Sequence, residues 1–187
     1  MPFQDNNTNS NYNNNNNNGD RKKVNFRVGK VYGEGGYIDV SIWKTDGGIM
    51  TILTIYSVIG KDPDTGRDSF ERKAPNELPR IYLNRDNIAL LYNGINNIDP
   101  ATLNETMTFK GNNKFTLNGT SSNVTLTIST DKGQRQVTLK ALPFSTRNVH
   151  SSWASFIKII EKCYDKTLFA KLDQDEFAND SSEEVPI

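Results

Sequence analysis

Hydrophobic and polar residues alternate with a period of two along much of the first half of the chain, which is the pattern of half-buried β-strands. Four segments with this alternation or a β-branched run predict strands: VNFRV at 24–28, YIDVSIW at 37–43, IMTILTIYSVIG at 49–60 and RIYL at 80–83. GEGG at 33–36 predicts a tight turn, and the long polar stretch at 62–79 predicts a loop.

A helix is predicted after the fourth strand. Asn84 is a suitable N-cap, and Ile88, Leu91, Tyr92 and Ile95 recur at helical spacing, so we expect a helix from Arg85 to about Asn96. The second half repeats this order with four short strands: Thr106–Lys110, Lys114–Asn118, Asn123–Thr130 and Gln134–Leu142. Pro143 ends the last strand. A final helix, capped by Ser151 or Ser152, then runs to about Ala170, with an apolar face formed by Trp153, Phe156, Ile157, Ile160 and Tyr164.

The order of elements predicts an α+β fold built as a tandem ββββα repeat. Two antiparallel four-stranded sheets, from halves of about 21–98 and 99–172, would enclose the two helices as a core. The repeat lies in the order of elements and not in residue identity. An oligonucleotide-binding barrel is the alternative fold.

The ends of the chain differ from this body in composition. Residues 1–20 are rich in Asn, and residues 173–187 contain six acids and no base, so we expect both to be disordered tails. All 22 Lys and Arg residues lie in 21–172 beside 14 acids, giving this segment a net charge of +8. A basic body with an acidic tail favours a polyanionic ligand, although ordinary surface charge is the alternative explanation.

The sequence offers little for catalysis or metal binding. His150, the single histidine, is expected to be a capping or surface residue at the start of the last helix, and Cys163 lies inside that helix without a basic partner. The loop that begins at Asp62 has Lys73 where a calcium loop needs a bidentate Glu. We therefore expect no enzyme activity, no metal and no cofactor. One cysteine, no secretory signal and no apolar membrane span favour a cytoplasmic protein.

Aromatic and basic residues share one predicted strand face. Tyr37 and Trp43 lie opposite the apolar positions of their strand, and Arg27 lies opposite those of the preceding strand. Nucleic-acid bases stack on such rings while cations follow the phosphates, a mode of binding that needs no base-specific hydrogen bonds. The alternative is that these rings pack under a helix or in a subunit interface.

The same residues carry a resemblance to a known family. VNFRVGKVY, GGYIDVSIWKTDGG and RIYLNRDNIALLYNGI resemble the single-strand-binding domain of the transcriptional coactivator positive cofactor four. A tandem ββββα order is similar to that of the related Whirly proteins, which extends the resemblance to about residue 170. The lysine-glycine-lysine signature of Whirly proteins is absent, and GEGG stands near its place. The tail DEFANDSSEEVPI resembles the partner-docking tip of bacterial single-stranded-DNA-binding proteins.

The resemblance implies nucleic-acid contacts for Arg27, Lys30, Tyr32, Tyr37, Trp43 and Lys44. Charge alone adds Lys22, Lys23, Lys110, Lys114, Lys132, Arg135 and Lys140. In the tail, the residues implied to bind replication and repair proteins are Glu183, Glu184, Val185, Pro186 and Ile187.

We therefore expect a sequence-nonspecific single-stranded-DNA-binding protein of replication or recombination, acting as a homo-oligomer in a phage or bacterial setting. RNA is the alternative ligand. Two alternatives stay open: a transcription regulator of the same fold that binds melted DNA, and a structural or assembly protein with a β-rich interface.

Overall fold

The structure is a computed structural model and describes residues 24–45, 48–142 and 151–179. The predicted α+β class is confirmed. The strands are β1 Val24–Gly33, β2 Gly36–Thr45, β3 Gly48–Lys61, β4 Asp68–Phe70, β5 Arg80–Leu83, β6 Asn104–Thr108, β7 Lys114–Gly119, β8 Asn123–Thr130 and β9 Gly133–Lys140. The helices are α1 Arg85–Ile95 and α2 Ser152–Asn179.

Sheet A contains β1 to β5, and all of its strand pairs are antiparallel. β1, β2 and β3 are neighbours in sequence order, and β3 is long enough to pair with β5 near its start and with β4 near its end. In the centre Val40 pairs with Leu53, which pairs with Ile81 on β5. Alternation along these strands places most of the branched apolar side chains on one face, which is buried.

A β-bulge in β1 sets the orientation of two basic residues. Arg27 pairs with Ser41 and Gly29 with Val40, so Val28 is an extra residue in the ladder. Arg27 and Lys30 are three positions apart, a spacing that places side chains on opposite faces of a regular strand. The extra residue brings both onto the face opposite the core.

Sheet B contains β6, β7, β8 and β9 as an antiparallel meander in sequence order. Its inner face is apolar, with Phe115 and Leu126 fully buried. Its outer face carries short polar side chains, and hydroxyl pairs such as Thr106–Thr116 at 3.2 Å and Thr125–Thr138 at 3.0 Å link adjacent strands. The described strands thus form two separate sheets, in contrast to the single closed barrel of the alternative prediction.

The two helices pack against the apolar faces and against each other. The Asn84 side chain caps α1 by accepting the Asn87 amide at 2.9 Å, as the sequence predicts. The rings of Tyr92 and Tyr164 stack at 5.1 Å between α1 and α2. α2 continues to Asn179 and not only to about Ala170, so the backbone of residues 173–179 is helical where the sequence predicted a disordered tail.

One apolar core joins the two sheets and both helices. At the edge of the core, the turn between β1 and β2 pairs with β9, because the Glu34 amide donates to the Thr138 carbonyl at 2.8 Å and Thr138 donates back at 3.0 Å. A Cβ on Gly33 would lie 2.4 Å from the Thr138 carbonyl oxygen, so this close approach requires glycine. The GEGG turn is therefore a connection between the two sheets.

Candidate nucleic-acid interface

The strand register groups rings and cations on the face of sheet A opposite the core, which we call the outer face. β1 contributes Arg27, Lys30 and Tyr32; β2 contributes Tyr37, Asp39, Ser41 and Trp43; β3 contributes Met50, Ile52, Thr54 and Tyr56; β5 contributes Arg80 and Tyr82. The apolar alternation that buries Ile38, Val40 and Ile42 places the intervening residues of β2 here.

One end of the outer face is a covered aromatic cluster. Tyr37 stacks on Tyr56 with ring centroids 4.8 Å apart, and the edge of the Phe70 ring meets Tyr37 at 4.9 Å. Leu78, from the chain segment that precedes β5, packs on the same rings. We call Tyr37, Tyr56, Phe70 and Leu78 the tyrosine cluster.

Tyr37 is consequently buried, with 8% of its surface exposed. This differs from the exposed stacking ring that the sequence predicted, because Phe70 and Leu78 come from a segment read only as a loop. Burial raises the pKa of the Tyr37 hydroxyl to about 12, with neighbouring Tyr56 adding to the shift, so this side chain stays neutral at physiological pH. Tyr32 lies beside the cluster, 5.3 Å from Tyr37, and is 57% exposed.

The centre of the outer face holds two cations around a buried carboxylate. Arg27 Nε lies 2.9 Å from Asp39 Oδ2, and Lys30 is the cross-strand partner of Asp39. Lys30 Nζ also lies 4.6 Å from the centroid of the Tyr37 ring. Burial raises the pKa of Asp39, while the charges of Arg27 and Lys30 oppose that rise. The cations stay closer to solvent than the carboxylate they surround, since Arg27 is exposed and Lys30 half-buried.

The other end of the outer face is a pair of partly exposed rings. Trp43 and Tyr82 lie 6.3 Å apart with their planes tilted by 50°, and Arg80 stands 5.6 Å from the Tyr82 ring. Trp43 is half-buried and Tyr82 is 38% exposed. The sequence prediction missed Arg80 and Tyr82, although both alternate with the apolar Ile81 and Leu83 in RIYL, and that alternation was the available signal.

The remaining predicted contacts are distributed elsewhere. Lys44 is exposed but alternates with Trp43, so it lies on the other side of β2. Lys114 and Lys140 are exposed on β7 and β9 of sheet B, and Lys110 is exposed in a 3₁₀ turn between β6 and β7. Several residues singled out in the sequence lie outside the described residues. They are Lys22, Lys23, His150, the Asn-rich segment 1–20, and Glu183, Glu184, Val185, Pro186 and Ile187 of the acidic tail.

Two basic residues of the second half contact the first half. Arg135 forms an ion pair with Glu71, with its Nε 3.1 Å from Oε1. Lys132 Nζ donates to the backbone carbonyl of Asn76. Both acceptors lie in the segment between β4 and β5, which also carries Leu78 of the tyrosine cluster. The structure thus places Arg27, Lys30, Tyr32, Tyr37 and Trp43 along one face of sheet A and gives Lys132 and Arg135 intramolecular partners.

The outer face combines aromatic and cationic side chains. Its rings offer stacking surfaces, and its guanidinium and ammonium groups offer phosphate contacts. Within the described residues, no group of three or more His, Cys, Asp and Glu side chains is placed to hold a metal ion. Cys163 is fully buried, and burial raises the pKa of its thiol to about 11.

No helix in the described part of the chain is long and apolar enough to cross a membrane. Comparison of the chain with known proteins finds no matching family model, no matching curated protein and no matching solved structure.

Proposed function

We propose that this protein binds single-stranded DNA without sequence specificity through the outer face of sheet A, and that it acts in replication or recombination. One observation carries the proposal: the register of β1, β2, β3 and β5 places the Trp43 and Tyr82 rings beside the Arg27 and Arg80 guanidinium groups on one sheet face.

Stacking and charge account for the preference for unpaired strands. An unpaired base exposes its π face to a ring, whereas a duplex keeps its bases stacked on each other. Arg27, Lys30 and Arg80 supply positive charge along the same surface, and phosphates bind such charge in any sequence. Asp39 does not repel the phosphates strongly, because it is buried beneath Arg27 and Lys30.

The proposal includes the finer fold assignment. The halves β1–β5 with α1 and β6–β9 with α2 are two copies of one ββββα unit, as in the Whirly proteins that the sequence resembles. Support comes from the strand order, since β1, β2, β3 and β5 in one half and β6 to β9 in the other are antiparallel neighbours in chain order. The short β4 is an addition to the first unit.

The acidic residues of the tail and a homo-oligomeric state belong to the same proposal. Both rest on the sequence, in which residues 173–187 carry six acids that compete with DNA for the basic body. Deleting residues 180–187, which removes three of these acids and leaves α2 whole, is expected to tighten DNA binding at low salt. Equal affinity of the full-length and shortened proteins would contradict competition by this part of the tail.

The deciding experiment compares single-stranded and duplex DNA of equal length by fluorescence anisotropy. The full chain is titrated into labelled oligo-dT, the matching duplex and oligo-U, and we expect oligo-dT to bind at least tenfold more tightly than the duplex. The oligo-U arm measures the preference for DNA over RNA. Equal affinity for oligo-dT and duplex, or no binding of either, would contradict the proposal.

An assembly protein is the second candidate, favoured by the exposure of Phe26 and Tyr32 on the edge strand β1. Exposed apolar residues on an edge strand are typical of protein interfaces. Measuring particle size by light scattering with and without oligo-dT separates the two functions. Assembly would be favoured if the protein bound no DNA but formed oligomers without it, and if Trp43→Ala left those oligomers intact.

A further inference from the structure

We propose that residues 71–79 form a displaceable strap, and that Tyr37 and Tyr56 beneath it are an additional base-stacking site that opens when DNA binds. This inference rests on the proposed function. It assigns to Arg135 the role of holding the strap closed, in place of the phosphate contact that its charge suggested.

The covered rings form a separate cluster from the main core. Tyr37, Tyr56 and Leu78 pack together with Phe70, while the apolar core of the protein lies on the opposite face of sheet A. A small cluster under a loop opens at lower free energy than the core, because few buried contacts have to separate. Uncovering Tyr37 and Tyr56 therefore leaves the fold intact.

The strap is held at few points. Residues 72–77 are exposed, and only Leu78 and Pro79 of the strap are buried. Two contacts from the β8–β9 hairpin fasten it, the Glu71–Arg135 ion pair and the hydrogen bond from Lys132 to the Asn76 carbonyl. At its first residue, Glu71 also exchanges hydrogen bonds with the Ser57 backbone of β3, which fixes that end while residues 72–78 move. The hydrogen bond from Lys132 lies at the surface, where such contacts contribute modestly to stability. The ion pair is the firmer attachment, because the Glu71 side chain is only 8% exposed and that of Arg135 is 25% exposed.

The covered site continues the open part of the outer face. From Trp43 to Tyr37, β2 extends six residues, about 20 Å at the usual rise of a strand. A strand that stacks on Trp43 and follows Arg27 and Lys30 arrives at Tyr37, where Lys30 Nζ already lies 4.6 Å from the ring centroid. Leu78 occupies the position at which the next base would stack on the tyrosine pair.

The direction in which one substitution changes the affinity for DNA distinguishes this role from a direct phosphate contact. Arg135→Gln removes a positive charge, so a lost phosphate contact would weaken DNA binding. If Arg135 instead holds the strap closed, the variant increases the fraction of molecules in which the strap is open. The affinity for oligo-dT then rises with that fraction, by about threefold to tenfold. Lys158→Gln, which removes an exposed cation from α2, is the matched control and is expected to leave the affinity unchanged.

The gain should depend on the covered ring. Adding Tyr37→Leu to Arg135→Gln keeps an apolar side chain but removes the ring, so the double variant is expected to lose the increase in affinity. Weaker or unchanged binding by Arg135→Gln would overturn the strap while the proposed function stands. Failure of the wild-type protein to bind oligo-dT would overturn both.

Hydrogen exchange on the wild-type chain tests the same inference without relying on the folding of a variant. Oligo-dT should accelerate amide exchange in residues 72–78, because displacement exposes the strap to solvent. Unchanged or slower exchange in these residues when oligo-dT is bound would contradict displacement.

Discussion

Arg135 on β9 and Glu71 just after β4 form a two-point ion pair that joins sheet B to the edge of sheet A. Arg135 Nε lies 3.1 Å from Oε1 of Glu71, and Nη2 lies 3.3 Å from Oε2. Oε1 also accepts the Ser57 amide of β3 at 2.9 Å. Oε1 thus accepts from both sheets, from Ser57 of β3 and Arg135 of β9, which makes the pair a point of contact between the halves.

The Glu71–Arg135 pair predicts a pH dependence of stability. Burial by itself raises the pKa of Glu71, but the hydrogen bonds from Arg135 and Ser57 outweigh it and hold the pKa below its usual 4.5. A lowered carboxyl pKa adds stability above the unfolded-state value, and this stability is lost as the pH falls through the folded-state value. Glu71→Gln should therefore lower the free energy of unfolding at about pH 7 and have little effect at about pH 3.

Urea unfolding of the wild type and of Glu71→Gln across this range measures the effect. Glu105→Gln, at an exposed position of β6, controls for the loss of one negative charge. The opposing outcome is that the free energies of unfolding of the wild type and of Glu71→Gln differ by the same amount at every pH. That result would show that the ionised form of Glu71 does not stabilise the contact.

Asp39 predicts the opposite trend. Its carboxyl is buried on the outer face, and burial raises its pKa above the usual 3.8 even though Arg27 and Lys30 oppose the rise. Stability is then fully present below the unfolded-state pKa and falls as the pH rises through the folded-state value. Asp39→Asn, which keeps the shape without the charge, should raise the free energy of unfolding at about pH 7 and change it little at about pH 3.

Arg27 loses its ionic partner in this variant, but its side chain is 61% exposed and remains hydrated, so the loss costs little. Thermal unfolding of the wild type and of Asp39→Asn at the two pH values provides the measurement. A less stable Asp39→Asn protein at about pH 7 would mean that the ion pair outweighs the cost of burying the carboxylate.

Local patterns in the sequence were sufficient to predict the main strands and both helices. Alternation identified β1, β2 and β5, and helical spacing with Asn84 as N-cap identified α1. β4 was missed because its three residues, Asp68–Phe70, are too few to show a period and form a strand only by pairing with the far end of β3. The β-bulge at Val28 also depends on the partner strand, so the alternation of β1 alone did not reveal it.

The candidate site was predictable only where it depends on alternation. Trp43 lies opposite the apolar residues of its own strand, and that placement was visible in the sequence. The burial of Tyr37 was not visible, because Leu78 reaches it from a segment 41 residues further along the chain. Arg135 likewise meets Glu71 across 64 residues. Contacts of this kind depend on the tertiary fold and leave no local pattern.

The connection between the sheets predicts a steric effect at Gly33. A Cβ there would lie 2.4 Å from the Thr138 carbonyl oxygen and 2.9 Å from Leu139 Cδ2, so Gly33→Ala should lower the free energy of unfolding by about 1–3 kcal/mol. Gly94 is the matched control, because it is exposed in α1 with no neighbouring atom within 4 Å of an added Cβ.

Gly94→Ala should raise stability by about 0.5–1 kcal/mol, since alanine loses less conformational freedom than glycine when a helix forms. Urea denaturation of both variants compares them directly. Similar stabilities for Gly33→Ala and Gly94→Ala would contradict a close approach of the GEGG turn to β9.

Arg80 predicts a change in the salt dependence of DNA binding. Each phosphate contact to a single strand contributes about −0.7 to the slope of log affinity against log salt concentration. Arg80→Gln should therefore weaken oligo-dT binding at low salt and make the slope shallower by about 0.7. Arg67→Gln, in the exposed turn between β3 and β4, serves as the control and should leave the slope unchanged. An identical slope for wild type and Arg80→Gln would remove Arg80 from the interface.

Trp43 predicts an optical signal as well as a loss of affinity. Stacking of a base on one ring contributes about 1–3 kcal/mol, so Trp43→Leu should weaken oligo-dT binding by about fivefold to roughly 150-fold. The other tryptophan, Trp153, is 4% exposed and stacks on Phe156 within the core, so DNA cannot reach it. Oligo-dT should quench the tryptophan fluorescence of the wild type and of Trp153→Phe, whereas the emission of Trp43→Leu should stay nearly constant. Strong quenching in Trp43→Leu would have to come from the buried Trp153 and not from a base stacked at position 43. That result would place the bound strand away from this end of the outer face.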